Sequence, residues 1–141
     1  MVLTLSHPPF KIPSNSTAFW GHILQQFPHL AQSALAFDVL RAGVKAAGPA
    51  PVLFVNEPIF ISDGQNSDVR YDFYYPRWAY DDYRALMAEQ SRQQGWNYLD
   101  LWNLVPASQF TNSAIHVTPL GSQMLADKVG AGIEALLNKG R

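Results

Sequence analysis

Short apolar runs alternate along this chain with stretches whose apolar residues recur at every third or fourth position, and that alternation predicts an α/β order. Val2–Leu5 is too short for a helix and is stopped by Ser6-His7-Pro8-Pro9, so it reads as a strand. A loop follows, with room for a helical turn near Phe19–Gln26. From His29 to Ala47 the residues Leu30, Ala34, Phe37, Leu40 and Val44 form one apolar stripe, and Gly48-Pro49 closes the predicted helix. Pro51–Val55 is continuously apolar, as in a strand covered on both faces. Asn56–Arg77 has no period, yet it is aromatic and punctuated by Pro58, Gly64 and Pro76. A long loop of this kind inside a compact unit is uncommon and tends to carry function.

The periodic pattern returns at Trp78–Gln94, where Ala79, Tyr83, Leu86, Met87 and Gln90 share a side and Gly95 takes the left-handed cap position. Asn97–Trp102 predicts a third strand. Thr118 as N-cap and Pro119 at the first helical position begin a last helix, with the stripe Leu125, Val129, Ile133 and Leu136–Leu137. No repeat or compositional break divides residues 1–141, so a single α/β domain is expected. Strands alternating with helices imply a parallel sheet, whose ligand crevice lies beyond the carboxyl ends of its strands. Those ends carry Ser6 and His7, Asn56 and Glu57, and Trp102 and Asn103.

Composition narrows the classes of function. Charged residues make up 15% and the net charge is −1 with no basic run, so neither nucleic acid nor an anionic surface is an expected partner. No apolar stretch approaches the ~20 residues of a membrane helix, and the first residues lack the form of a signal peptide. Localisation is left open, cytoplasmic by default. The chain has no cysteine, which removes thiol chemistry and Cys-type metal sites. Its four histidines lack i, i+4 spacing, so no metal and no cofactor is implied.

The strongest chemical signal is Phe110–Gly121. His116 stands two residues before a capped helix, on a short loop that leaves its ring free to face the crevice and serve as a base near neutral pH. Glu57 could add a carboxylate at the same rim. Tyr71–Tyr80 either lines a pocket for an acyl chain or sugar, or packs over the sheet.

Ile115-His116-Val117-Thr118-Pro119, followed by Gly121 and Leu125-Ala126, resembles the last block of SGNH/GDSL-type hydrolases. Tyr98-Leu-Asp100-Leu-Trp102 resembles the family's final strand, and Pro51–Pro58 the strand before it. The similarity spans this chain but only the carboxy-terminal half to two-thirds of a family member. It implies a three-layer, flavodoxin-like parallel sheet, truncated here to about three strands with flanking helices. It also implies ester hydrolysis or acyl transfer on a small acylated substrate, with His116 as general base. Ser113 stands where the family has an aspartate, after Asn112, and neither is a carboxylate. Asp100, Glu57 and Asp63 are the substitutes. The Gly-Asp-Ser nucleophile block is missing, and Gly64-Gln65-Asn66-Ser67 resembles the family's Gly-x-Asn-Asp block only superficially. Ser6 is then the best-placed serine. His7, Asn56, Asn112 and Tyr75 are candidate substrate contacts. A degenerate relative acting as a binding or structural module is the alternative. In the truncated sheet Val2–Leu5 is a bare edge, which predicts a homodimer or a partner chain.

Overall fold

The computed structural model describes residues 29–139, and it is a mixed α/β structure with a two-stranded parallel sheet and three helices. In chain order these are α1 (Phe37–Ala47), β1 (Leu53–Asn56), α2 (Arg77–Gln94), β2 (Asn97–Asp100) and α3 (Pro119–Lys139). Single 3-10 turns at Gln32–Ala34 and Ala107–Gln109 precede α1 and α3. The expected strand Val2–Leu5, its edge, and the candidates Ser6 and His7 lie outside the described residues.

The two strands pair in parallel with Leu53 opposite Asn97 and Asn56 opposite Asp100. Alternation sends Phe54, Asn56, Tyr98 and Asp100 to one face and Leu53, Val55 and Leu99 to the other. Helix α2 covers the first face, where Tyr80 and Arg84 bond Asn56 and Asp100. Helix α3 meets the second. A Cβ added at Gly132 would stand 2.7 Å from Leu99 Cδ1 and 3.3 Å from Leu53 Cδ2, so glycine permits the close approach.

Three elements are shorter than the sequence pattern predicts, β1 among them, which begins at Leu53 rather than Pro51. The helix expected from His29 begins only at Phe37, because Leu35 is extended and Ala36 also leaves helical geometry. The Leu30 amide donates to Asp82 Oδ2 of α2 at 2.7 Å, and the Ala34 and Leu35 amides close a separate 3-10 turn on Ala31 and Gln32. Strand β2 stops at Asp100. The Leu101 amide still donates to the Asn56 carbonyl, but the Leu104 amide folds back onto Leu101 as a turn. The ends of α2 and the start of α3 agree with their sequence signals. Gly95 caps α2 at φ 67°, and Thr118 Oγ1 accepts the Gly121 amide in the first turn of α3.

The long segment after β1 is built into the core. Ile59, Tyr71 and Tyr80 are buried together, with Ile61, Tyr75, Tyr83 and Trp102 packed against them. Tyr71 meets Trp102 edge-on at 4.9 Å and Tyr80 at 5.7 Å, geometries that aromatic quadrupoles favour. Backbone bonds from Ile59 to the Trp102 carbonyl and from Phe60 to the Ala114 carbonyl tie this segment to the loops after β2. Packing is therefore one outcome for the aromatic tract. Phe73 and Tyr74 provide the other, at 88% and 73% exposed. Among the described residues no helix is long and apolar enough to cross a membrane.

Candidate functional site

The loop before α3 is closed by an antiparallel bridge between Phe110 and Val117. Inside it, Ser113 Oγ accepts the amides of Ile115 at 3.2 Å and His116 at 2.9 Å. The His116 carbonyl accepts from the Thr111 amide and hydroxyl. Serine at this position therefore performs the turn-capping work that an aspartate could also do. It supplies no charge to the imidazole. The backbone of His116 is held on both sides, while its side chain is exposed and has no hydrogen-bond or ion-pair partner among the described residues.

Of the three carboxylates Asp100, Glu57 and Asp63, none bonds His116. Asp100 is committed elsewhere. Its Oδ2 accepts Arg84 Nε and Nη2, each at 2.9 Å, and its Oδ1 accepts Asn56 Nδ2 at 2.8 Å. Arg84 also stacks 4.2 Å over the Trp102 ring. Asn56 is buried, and its amide is shared between Asp100 and the Tyr80 hydroxyl. That places Asn56 as a brace between strand end and helix, with its amide already occupied. Burial pushes the Tyr80 hydroxyl up to about 12, while the hydrogen bond from Asn56 acts in the opposite direction. Desolvation likewise raises the Tyr98 hydroxyl, with the Asp100 carboxylate adding to it.

Two concavities flank the 111–116 loop. A cavity of 430 Å³ lies between the 60–74 segment and the near side of the loop, and Asn112, Ser113 and Ala114 line it. An open groove of 590 Å³ lies at the carboxyl end of β1, walled by Asn56, Glu57, Tyr75, Tyr80, Tyr83 and Ile115. Tyr74 borders both. The described candidates thus fall in three places. Glu57, Asn56 and Tyr75 share the groove, Asn112 and Ser113 share the cavity, and His116 stands exposed on the loop without lining either.

Arg70 and Asp72 line the cavity, and neither was among the sequence candidates. Asp72 is 5% exposed; its Oδ1 accepts the Tyr74 and Tyr75 amides, and its Oδ2 has no partner. Nearby, Asn66 adopts φ 69°, the left-handed conformation that asparagine tolerates better than most side chains. Its place after Gly64-Gln65 was the only cue in the sequence. Among the described residues no three His, Asp or Glu side chains group as metal ligands. No family model, curated protein or solved structure matches this chain.

Proposed function

We propose that this chain is an SGNH-like ester hydrolase, or the histidine-bearing part of one, with His116 as general base. The carrying observation is that His116 presents an exposed imidazole, without a partner among the described residues, on a loop pinned by Ser113, Thr111 and the Phe110–Val117 bridge. Helices against both faces of the parallel pair support a three-layer sheet, and the 111–116 loop joins the carboxyl-end rim through the Phe60–Ala114 bond. In this chemistry His116 takes the proton of a serine hydroxyl as its oxygen attacks the ester carbonyl. It then returns that proton to the departing alcohol, and water hydrolyses the acyl-serine by the same relay.

The attacking serine is assigned to no residue within 29–139. Ser113 has its oxygen committed to two amides, and Ser62 accepts the Gly64 amide. Ser6 remains the candidate within this chain, and a serine of a partner polypeptide is the other source. A non-catalytic binding module is the second reading, favoured by the lack of any carboxylate against the His116 ring among the described residues.

Hydrolysis of short-chain nitrophenyl esters by the full chain, with and without His116→Ala, separates the two. A general base is worth roughly 10²–10⁴ in rate, so the variant should fall at least about a hundredfold. Because the ring is exposed, its removal leaves the fold intact. Mapping a fluorophosphonate adduct identifies the nucleophile. Equal rates for both proteins would exclude His116 from catalysis and leave the binding module.

A further inference from the structure

We propose that the groove at the carboxyl end of β1 binds an organic cation of the alkylated ammonium type, held by tyrosine rings and Glu57. The groove measures 590 Å³, within the usual range for small-molecule sites. Its aromatic wall is continuous. The Tyr75 and Tyr80 ring centres stand 5.0 Å apart with their planes inclined at 57°, and those of Tyr80 and Tyr83 stand 5.8 Å apart at 39°. Tyr80 is 6% exposed and backs the wall, so half-buried Tyr75 and Tyr83 and the exposed Tyr74 supply its open surface. Inclined rings can turn their negative π faces toward one guest from more than one side, and a cation is the guest that such faces attract.

The charges agree in sign. Glu57 is the only Asp, Glu, Lys, Arg or His on the lining, it is exposed, and it has no hydrogen-bond or ion-pair partner among the described residues. The Asn56 amide is already taken by Asp100 and Tyr80, so it is not free to donate to an anion. Behind the wall, burial and then the Asp100 carboxylate push the Tyr83 hydroxyl above its ordinary value. That ring therefore stays neutral, in surroundings that already disfavour a further negative charge.

An anion in the groove would meet a like charge at Glu57 and no cation to pair with. An uncharged apolar guest would cover the rings and leave the carboxylate without a partner. Pro58, Pro76 and Ile115 make much of the remaining lining apolar. Alkyl groups on the nitrogen suit that surface, where a bare ammonium would need several hydrogen-bond acceptors. Because His116 does not line the groove, cation binding stands whether or not the chain hydrolyses esters.

Choline is the probe, and its neutral control is the analogue in which carbon replaces the charged nitrogen; butyrate tests for an anion. Calorimetric titration and ligand-observed NMR of the full chain, at constant ionic strength, should give choline a dissociation constant of about 10 mM or tighter. The neutral analogue should bind at least about tenfold more weakly. Glu57→Gln, at an exposed position, and Tyr75→Leu, in the wall, should each weaken choline binding at least about threefold. Phe73→Ala, which lines only the other cavity, should leave it unchanged. If Tyr75→Leu does not melt like the parent chain, Glu57→Gln and Tyr74→Ala, both at exposed positions, decide the matter. Choline binding weaker than about 10 mM overturns the proposal, as does an analogue or butyrate within about tenfold of choline, or an affinity indifferent to Glu57→Gln. The titration involves no turnover, so its failure is distinct from that of the ester-hydrolase assignment, which the nitrophenyl rates decide.

Discussion

Replacing Asp100 by asparagine tests whether the end of the sheet is held by charge or merely by shape. The side chains of Arg84 and Asp100 are 24% and 26% exposed, so the pair lies between the surface and buried regimes. Exposed pairs contribute roughly 0–1 kcal/mol, and breaking a buried one costs about 3–5 kcal/mol. Asparagine keeps the volume of aspartate, but it has one acceptor where the site needs two. If its oxygen faces Arg84, its amide nitrogen meets Asn56 Nδ2; if its oxygen faces Asn56, its nitrogen meets the guanidinium. Either orientation sets donor against donor at a contact that now measures 2.8–2.9 Å. The loss of charge-assisted bonds, about 1.5–3 kcal/mol each before relaxation, then gives a destabilisation of about 2–3 kcal/mol. Urea unfolding followed by tryptophan fluorescence measures it. Arg84→Met completes a double-mutant cycle, and a coupling of about 1–2 kcal/mol is expected for groups in direct contact. Glu89→Gln, at the exposed Arg92–Glu89 pair, is the control and should leave the midpoint in place. A loss below about 0.5 kcal/mol for Asp100→Asn, or a coupling near zero, would show that the network contributes only packing.

Two other outcomes follow from packing and burial. In alkaline solution the folded chain holds the Tyr80 proton up to about pH 12, against an ordinary value of 10.0, so between those values the folded state binds more protons than the unfolded. Stability is therefore fully present below pH 10 and declines as the pH rises towards 12; phenolate absorbance should show a late tyrosine class released together with unfolding, and smooth titration without unfolding would refute this. The glycines of α3 should respond oppositely to alanine. At Gly130 nothing lies within 4 Å of an added Cβ, so the helical preference of alanine should add up to about 1 kcal/mol. At Gly121 the new methyl would meet Val117 Cβ at 2.9 Å and the Gln109 carbonyl at 3.3 Å, groups with little freedom to withdraw, so the melting temperature should fall. The same sign at both positions would contradict the packing.

Local signals were legible wherever a residue acts on its immediate neighbours. Gly95 ends α2 in the left-handed conformation and Thr118-Pro119 opens α3, both consequences of short-range backbone chemistry, whereas the exposed His116 ring lines neither concavity rather than facing the crevice. The strand pair was legible from apolar runs, although β1 runs Leu53–Asn56 rather than Pro51–Val55, because pairing with β2 begins at Leu53 and continues through Asn56. The helix expected from His29 begins only at Phe37, because Leu35 is extended and Ala36 non-helical, which the spacing of the apolar stripe does not register. The carboxylate candidates were ambiguous because their partners are distant in sequence. Only the folded chain commits Asp100 to Arg84 and Asn56.

From residue order alone, then, come the α/β alternation and the capped last helix, since each depends on contacts within a few residues. Tertiary structure decided which polar groups are occupied and which are spare. It turned Asn56 into a brace, sent Tyr71 and Tyr80 inward and Phe73 and Tyr74 outward, and set Asp72 Oδ1 to hold the Tyr74 and Tyr75 amides. The physical reason is that hydrogen-bond satisfaction and burial depend on what the fold brings alongside, and in this chain those partners come from segments tens of residues apart.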